Sequence, residues 1–285
     1  MRLLILGCGL LGSSVALAAR EAGVATSITG FDPNPDSVAA ASQLGVFDSV
    51  GLMGQAGHEI GADLAADVGI AAGPPSTLVG GVASLASVCE LVMDVGSIKG
   101  PILAELASAQ GAPANFVPCH PMAGSEQAGA GAAQANLFQG RWVFVVSTAT
   151  AAPAACSAAH KFWQSLGAQT TELAPAAHDA AVAYSSHLPH LLAALYAGLD
   201  DVVPAAAGPG YRDFSRLAKS NPALWADILT SNKSQILPLI GQLRTALDEA
   251  QALLEQAQPD DATSRGDLVD YLAVRKSARD ALDLR

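Results

Sequence analysis

The stretch RLLILGCGLLGSSVALAARE, residues 2–21, decides how the rest of the chain is read. Leu3–Leu6 form a short, wholly apolar run suited to a strand covered on both faces, and Ser13–Ala22 repeats apolar side chains at helical spacing. Between them Gly7, Gly9 and Gly12 spell GxGxxG. Each glycine answers a separate need: a tight turn, close approach of backbone to a pyrophosphate, and close packing of helix on strand. The helix opening at Leu10 and Leu11 would aim unpaired N–H groups at the phosphates. Asp32 closes a second strand in ITGFDPNP, residues 28–35. That lies about twenty residues after the last glycine, where a carboxylate accepts from a ribose 2′-OH and repels a 2′-phosphate. No Arg or Lys occurs between Glu21 and Ile98 to pair such a phosphate, so NAD is expected rather than NADP. The same N-terminal run superficially resembles a signal peptide, but its glycines and its continuation through Arg20 and Glu21 fit a folded strand–turn–helix better.

Outward from this unit, apolar segments at Ser27–Phe31, Val68–Ala72, Leu91–Val95, Phe116–Cys119 and Trp142–Val146 alternate with alanine-rich stretches such as Ser37–Leu44. Strands alternating with helices imply βαβ units and a mainly parallel sheet, an α/β Rossmann-type domain. The segment STATAAPAACS, residues 147–157, reads as a linker, which places a boundary near Pro153 and domains at 1–152 and 153–285. Beyond it strand signals nearly vanish, and helical runs are expected at His178–Leu199, Pro222–Leu229, Gln235–Gln256 and Asp267–Leu282. Asn221 can cap the second of these and Pro222 can fill its first position. An all-α second domain with several apolar faces suggests a homodimer formed through it.

Composition narrows the function classes. With 285 residues, 51% of them hydrophobic, the chain can bury a large core. The 26 acidic against 15 basic residues give a net charge of −11, which disfavours nucleic acid while allowing a small anionic substrate in a locally cationic pocket. No apolar run approaches the roughly 20 residues of a membrane span. Cys8, Cys89, Cys119 and Cys156 lack CxxC spacing and read as reduced thiols of a cytoplasmic protein, with a secreted disulfide pair as the alternative.

Ligands of an open parallel sheet bind beyond the carboxyl ends of its strands, and the unusual residues fall there repeatedly. Gly73 and Pro74 follow Val68–Ala72, Ser97 and Lys99 follow Leu91–Val95, and His120 follows Phe116–Cys119. Asp94 and Lys99 fit either a solvated charged turn or a functional role. A histidine beside a nicotinamide, with an ordinary pKa near 6.5, suits a general base for alcohol oxidation. His187 and His190 are spaced like metal ligands, but Pro189 lies between them and no third ligand accompanies them, so no metal is expected.

The motifs GCGLLGSS, DVGSIKG, HPMAGSEQAG, SSHLPHLLA and YRDFSRLAKSNPALWADILTSNK occur in this order, and the chain resembles the prephenate/arogenate dehydrogenase family of tyrosine biosynthesis from about Met1 to Ile240. The resemblance implies a dinucleotide-binding domain, a helical dimerisation domain and NAD-dependent oxidative decarboxylation of a cyclohexadienol. It implies that His120 deprotonates the ring hydroxyl and that Ser97 orients that histidine or the hydroxyl. It further implies that Arg212 binds a substrate carboxylate, that His187 and His190 line the pocket, and that Ser125 and Glu126 form a polar turn gating access. Prephenate carries two carboxylates, and the planar fork of Arg212 suits one; Arg216 either shares that face or makes an ordinary salt bridge. Arogenate, with an amino acid side chain, is the alternative substrate. Any feedback by tyrosine is expected to act at the active site, because no regulatory segment is recognisable after the helices. Gly73 departs from the family pattern and leaves the adenosine contact there open.

Overall fold

In the computed structural model the described residues are 1–53, 64–109, 111–125, 127–199, 204–258 and 260–282. Eight strands form one sheet: β1 (Arg2–Leu6), β2 (Ser27–Asp32), β3 (Ser49–Leu52), β4 (Ala66–Ala71), β5 (Cys89–Asp94), β6 (Phe116–Pro121), β7 (Trp142–Val146) and β8 (Gln169–Leu173). Their spatial order is 3-2-1-4-5-6-7-8. The first six run parallel in the doubly wound order of dinucleotide-binding sheets, β7 runs antiparallel to β6, and β8 parallel to β7. The central strands read as unbroken apolar runs because helices cover both faces. Leu3, Ile5, Ile70, Met93 and Val117 pack on one side, and Leu4, Leu6, Val92 and Phe116 on the other.

Helix α1 (Leu10–Glu21) follows β1, α2 (Pro35–Gln43) follows β2, α3 (Pro75–Ala86) follows β4, and α4 (Gly100–Ala109) follows β5. Pro at the start of α2 and α3 supplies a preset φ where the missing N–H would be unpaired anyway, and Asn34 caps α2 through the Asp36 amide at 2.8 Å. Gly7 has φ +99°, and a Cβ there would lie 2.7 Å from the Ala72 carbonyl; one on Gly12 would lie 1.9 Å from the Gly7 carbonyl oxygen. The turn at the switch point between β1 and β4 therefore admits no side chain at either position.

The sheet extends past the boundary expected near Pro153. Helix α5 (Pro153–Ser165) packs Phe162 and Trp163 into the core, and β8 pairs with β7 over five residues. QTTEL in β8 is polar and half-exposed, so it carried no apolar strand signal; SVGL in β3 is an edge strand of only four residues, too short to give one. The helix expected over His178–Leu199 is divided into α6 (Pro175–Val182), a π-helical turn at Ala183–His187, and α7 (Leu188–Ala197). Pro189 lacks the N–H that a regular helix requires at that level.

Helices α8 (Pro209–Ser215) and α9 (Pro222–Ser231) complete a first compact unit, Met1–Lys233. Asn221 caps α9 through the Ala223 and Leu224 amides, as its sequence suggests. The second unit, Ser234–Arg285, carries most of α10 (Lys233–Gln256) and all of α11 (Ala262–Asp280). Within it the Tyr271 hydroxyl donates to the Ala246 carbonyl at 2.8 Å, and the Arg275 guanidinium lies over the Tyr271 ring. No helix among the described residues is long and apolar enough to cross a membrane.

Candidate active site at the carboxyl edge of the sheet

The glycine loop occupies the carboxyl edge at β1. No side chain caps α1, whose N-cap is Gly9, and a Cβ on Gly9 would meet no atom within 4 Å. The loop thus offers the first N–H groups of α1, at Leu10, Leu11 and Gly12, to an open cradle, which fits the pyrophosphate of a dinucleotide. Asp32 is buried beside it. One carboxylate oxygen accepts the Cys8 amide at 2.8 Å and the other accepts the Asn34 amide at 2.9 Å. Its remaining lone pairs fit a ribose hydroxyl. Gly73 and Pro74 lie past β4 at the N-terminus of α3, next to this loop, and the Ser76 amide there donates to Asp227 of α9.

The neighbouring edge is built from buried ionisable groups. Asp94, at the end of β5, and Lys99 are both fully buried and form an ion pair at 2.5 Å. Asp94 also accepts the Gly96 amide at 2.9 Å and the Cys119 amide at 3.2 Å, which ties β5 to β6 one residue before His120. The solvated-turn reading of Asp94 and Lys99 is thereby excluded. Asp179 of α6 accepts the Lys99 amide at 2.9 Å and the Gly100 amide at 2.8 Å, so it caps α4 from eighty residues away. Its carboxylate also takes a 2.8 Å bond from His178 Nδ1, and His178 Nε2 lies 2.8 Å from His120 Nδ1.

His120 belongs to β6 itself rather than to the loop after it, opposite Phe144 of β7, and is only 8% exposed. Burial, then the Lys99 charge and the neighbouring rings of His178 and His187, hold its pKa well below the ordinary 6.5. Burial also lowers His178, against the opposing pull of Asp179. For Asp179 burial acts upward, but the His178 bond and the two amides outweigh it and keep the carboxyl below its ordinary range. Cys119 is buried, and its thiol is pushed up to about 12 by that burial, which removes it as a nucleophile. All four cysteines are free, so no disulfide pair forms.

His187 is fully buried at the end of the π-helical turn. The Asn232 side chain donates to its Nδ1 at 3.0 Å and to the Asp179 carbonyl at 2.9 Å, leaving His187 Nε2 as a buried N–H without a partner among the described residues. Burial lowers its pKa to about 4. His190, one helical turn on, donates Nδ1–H to the Ser186 carbonyl and stacks on Trp225 with ring centroids 3.5 Å apart. Ser97 is half-buried, and its hydroxyl has no hydrogen bond among the described residues. Ser125 is exposed and accepts the Gln127 amide, whereas Glu126 lies outside the described residues. Arg212 is exposed on α8, where Nε donates to the Ala207 carbonyl at 2.7 Å; no contact among the described residues joins it to His120, His187 or His190.

The structure thus brings His120 and His187 into one buried group with Lys99, for which the sequence left a functional role open, and adds His178, Asp179 and Asn232, none of which sequence reasoning had placed in the site. The available signal was the adjacent pair His178-Asp179 at the head of a helix, in a chain with only six histidines.

A doubly wound sheet with a glycine cradle and a buried histidine on one edge defines an NAD-dependent oxidoreductase. A family profile described as "Prephenate dehydrogenase, nucleotide-binding domain" matches residues 15–172, and one described as "Prephenate dehydrogenase, dimerization domain" matches residues 174–273. The prephenate dehydrogenase of Bacillus subtilis (strain 168) is 32% identical over 294 residues, covering 99% of this chain and 76% of the relative. That of Lactococcus lactis subsp. cremoris is 30% identical, covering 87% of this chain and 70% of the relative. Among solved structures, prephenate dehydrogenase from Aquifex aeolicus, in complex with hydroxyphenyl propionate and NAD+, superposes with a TM-score of 0.85 at 28% identity, covering 99% of this chain and 98% of the other. The chain belongs to the prephenate dehydrogenase family.

Proposed function

We propose that the protein oxidatively decarboxylates prephenate to 4-hydroxyphenylpyruvate with NAD, and that the residues at the carboxyl edge carry the reaction. The observation that carries this reading is His120: a buried imidazole held neutral at pH 7 on the same sheet edge as a glycine cradle for a dinucleotide. When bound, NAD supplies the acceptor for hydride from the ring carbon that bears the hydroxyl. The Gly7–Gly12 loop, with Leu10 and Leu11, holds the pyrophosphate, Asp32 the ribose hydroxyls, and Gly73 with Pro74 the adenosine side. The Asp32 carboxylate favours NAD over NADP by repelling a 2′-phosphate.

His120 accepts the ring hydroxyl proton as hydride leaves, and the free hydroxyl of Ser97 orients the histidine or the substrate. The Nη groups of Arg212 have no protein partner among the described residues and suit a substrate carboxylate, while His187, His190 and Ser125 are read as lining the pocket. The carbon–carboxylate bond breaks into the ring, which becomes aromatic, so neither metal nor acid is needed to expel carbon dioxide. Substrate alignment is then the main task of the protein. The helical half supports a homodimer: Leu195, Leu199, Phe214, Leu237, Leu247 and Leu254 are all exposed apolar side chains on or beside its helices. Placement in the cytoplasm accords with its reduced cysteines.

The test is NADH formation by purified protein given prephenate or arogenate, each with NAD and then NADP. Prephenate with NAD is expected to give the highest kcat/KM, and His120→Asn to lower kcat by about 100- to 10,000-fold with NAD affinity unchanged. Silence with both substrates despite NAD binding would refute the assignment.

A further inference from the structure

We propose that His178 and Asp179 are positioning residues that fix the tautomer of His120 and hold the proton it takes up, as a closed relay that returns that proton to the product. The inference rests on the function proposed above. It begins at the buried end. Asp179 caps α4 through two amides, at a helix N-terminus where the dipole favours an anion. It is therefore a carboxylate, an acceptor only, and His178 must present Nδ1–H to it across 2.8 Å. A neutral His178 then carries its lone pair on Nε2. Since His120 Nδ1 lies 2.8 Å from that nitrogen, His120 must hold its own proton on Nδ1. Only His120 Nε2 is left as the base. The chain of bonds selects the nitrogen that faces the reaction.

The same chain moves charge. As the hydroxyl proton arrives on His120 Nε2, the Nδ1 proton passes to His178 Nε2, and the positive charge settles on His178 beside Asp179; Lys99 opposes a charge on either ring, but only His178 has facing carboxylates to counter it. The charged groups facing His178 are Asp179, Asp94 and Lys99, so the carboxylates favour the imidazolium there. The atoms balance without loss of a proton. The prephenate dianion gives up hydride to NAD+, and its carboxylate leaves as carbon dioxide with the bonding pair entering the ring. The phenolate oxygen so formed takes back the proton lent to His120, and 4-hydroxyphenylpyruvate leaves as a monoanion. A reaction that releases no net proton needs a store rather than an exit. Asp179, 4% exposed and closed off by two amides, provides no exit.

Three measurements test this. In the wild-type protein, 15N spectra of labelled histidine at pH 7 should show His120 protonated at Nδ1 and bare at Nε2; the opposite tautomer overturns the proposal. His178→Gln, whose amide oxygen can still accept from His120 Nδ1 but cannot take a proton, should keep more kcat than His178→Leu, with both below wild type. Equal kcat in the two variants overturns it. Asp179→Asn should lower kcat about 100- to 10,000-fold and move the acid limb of kcat/KM to lower pH, because the imidazolium loses its counter-charge. A lowered kcat with the limb unmoved would make Asp179 merely structural and refute the relay. Absence of turnover by wild type on either substrate would defeat the assigned reaction, while the tautomer spectrum still reads the relay by itself.

Discussion

Two neighbouring stretches of one sheet edge are built from different materials. At β1, β2 and β4 the edge is backbone: a left-handed Gly7, a Gly12 pressed on the preceding turn, and amides at the head of α1, with the single carboxylate of Asp32 tying the loop to β2. At β5, β6 and α6 the edge is side chain, where Asp94, Lys99, His120, His178 and Asp179 lie within the core and use one another as solvent. The first arrangement recognises a large ligand by leaving room for it. The second holds a small piece of chemistry by pairing buried charges and rings with one another, which makes it costly to disturb.

The largest effect that separates the two comes from Lys99→Met. It strands a buried carboxylate and should cost about 3–5 kcal/mol in urea denaturation, against about 0.2–1 kcal/mol for Arg2→Ala at the exposed Arg2–Asp67 pair. A loss under 1 kcal/mol for Lys99→Met would mean that the buried edge is no more tightly bound than the surface. On the backbone side, Gly9→Ala should leave the melting temperature unchanged, because its Cβ meets no protein atom, yet weaken NAD about 10- to 100-fold in calorimetry, roughly 1.4–2.7 kcal/mol. Unaltered NAD affinity would remove Gly9 from the cradle. The gentlest effect is on pH. His120, His178 and His187 bind protons more weakly folded than unfolded, so the unfolded chain takes up protons first as pH falls below about 6.5. Stability is therefore full above that value and declines toward about pH 4, the value for His187. Melting curves from pH 7 to 5 should fall in wild type and fall less in His187→Gln.

The same contrast explains how much the sequence disclosed. The cradle was legible because its requirements are local: three glycines within six residues, after one apolar run and before another, with Asp32 at a fixed distance. Six of the eight strands announced themselves by apolar runs, whereas β3 has only four residues, β8 is polar, and both lie at the margins of the sheet. His120 could be singled out, but its partners could not. His178 and Asp179 lie 58 and 59 positions away, joined to it by the way α6 lies against the head of α4 and the end of β6. No periodicity records a bond between segments so far apart, and a buried Asp–Lys pair spells the same letters as a solvated turn.

The π-helical turn at Ala183–His187 carries a consequence for the history of the sequence. One extra residue in a helix rotates everything after it by about 100°. His187, at the end of that turn, reaches Asn232 and His190 reaches the face of Trp225 because the chain carries this surplus residue just ahead of Pro189. Deleting a single residue there would yield a more regular helix and a disassembled pocket. Substitution is the change this segment can absorb; a shift in its length would be felt at once by every side chain downstream.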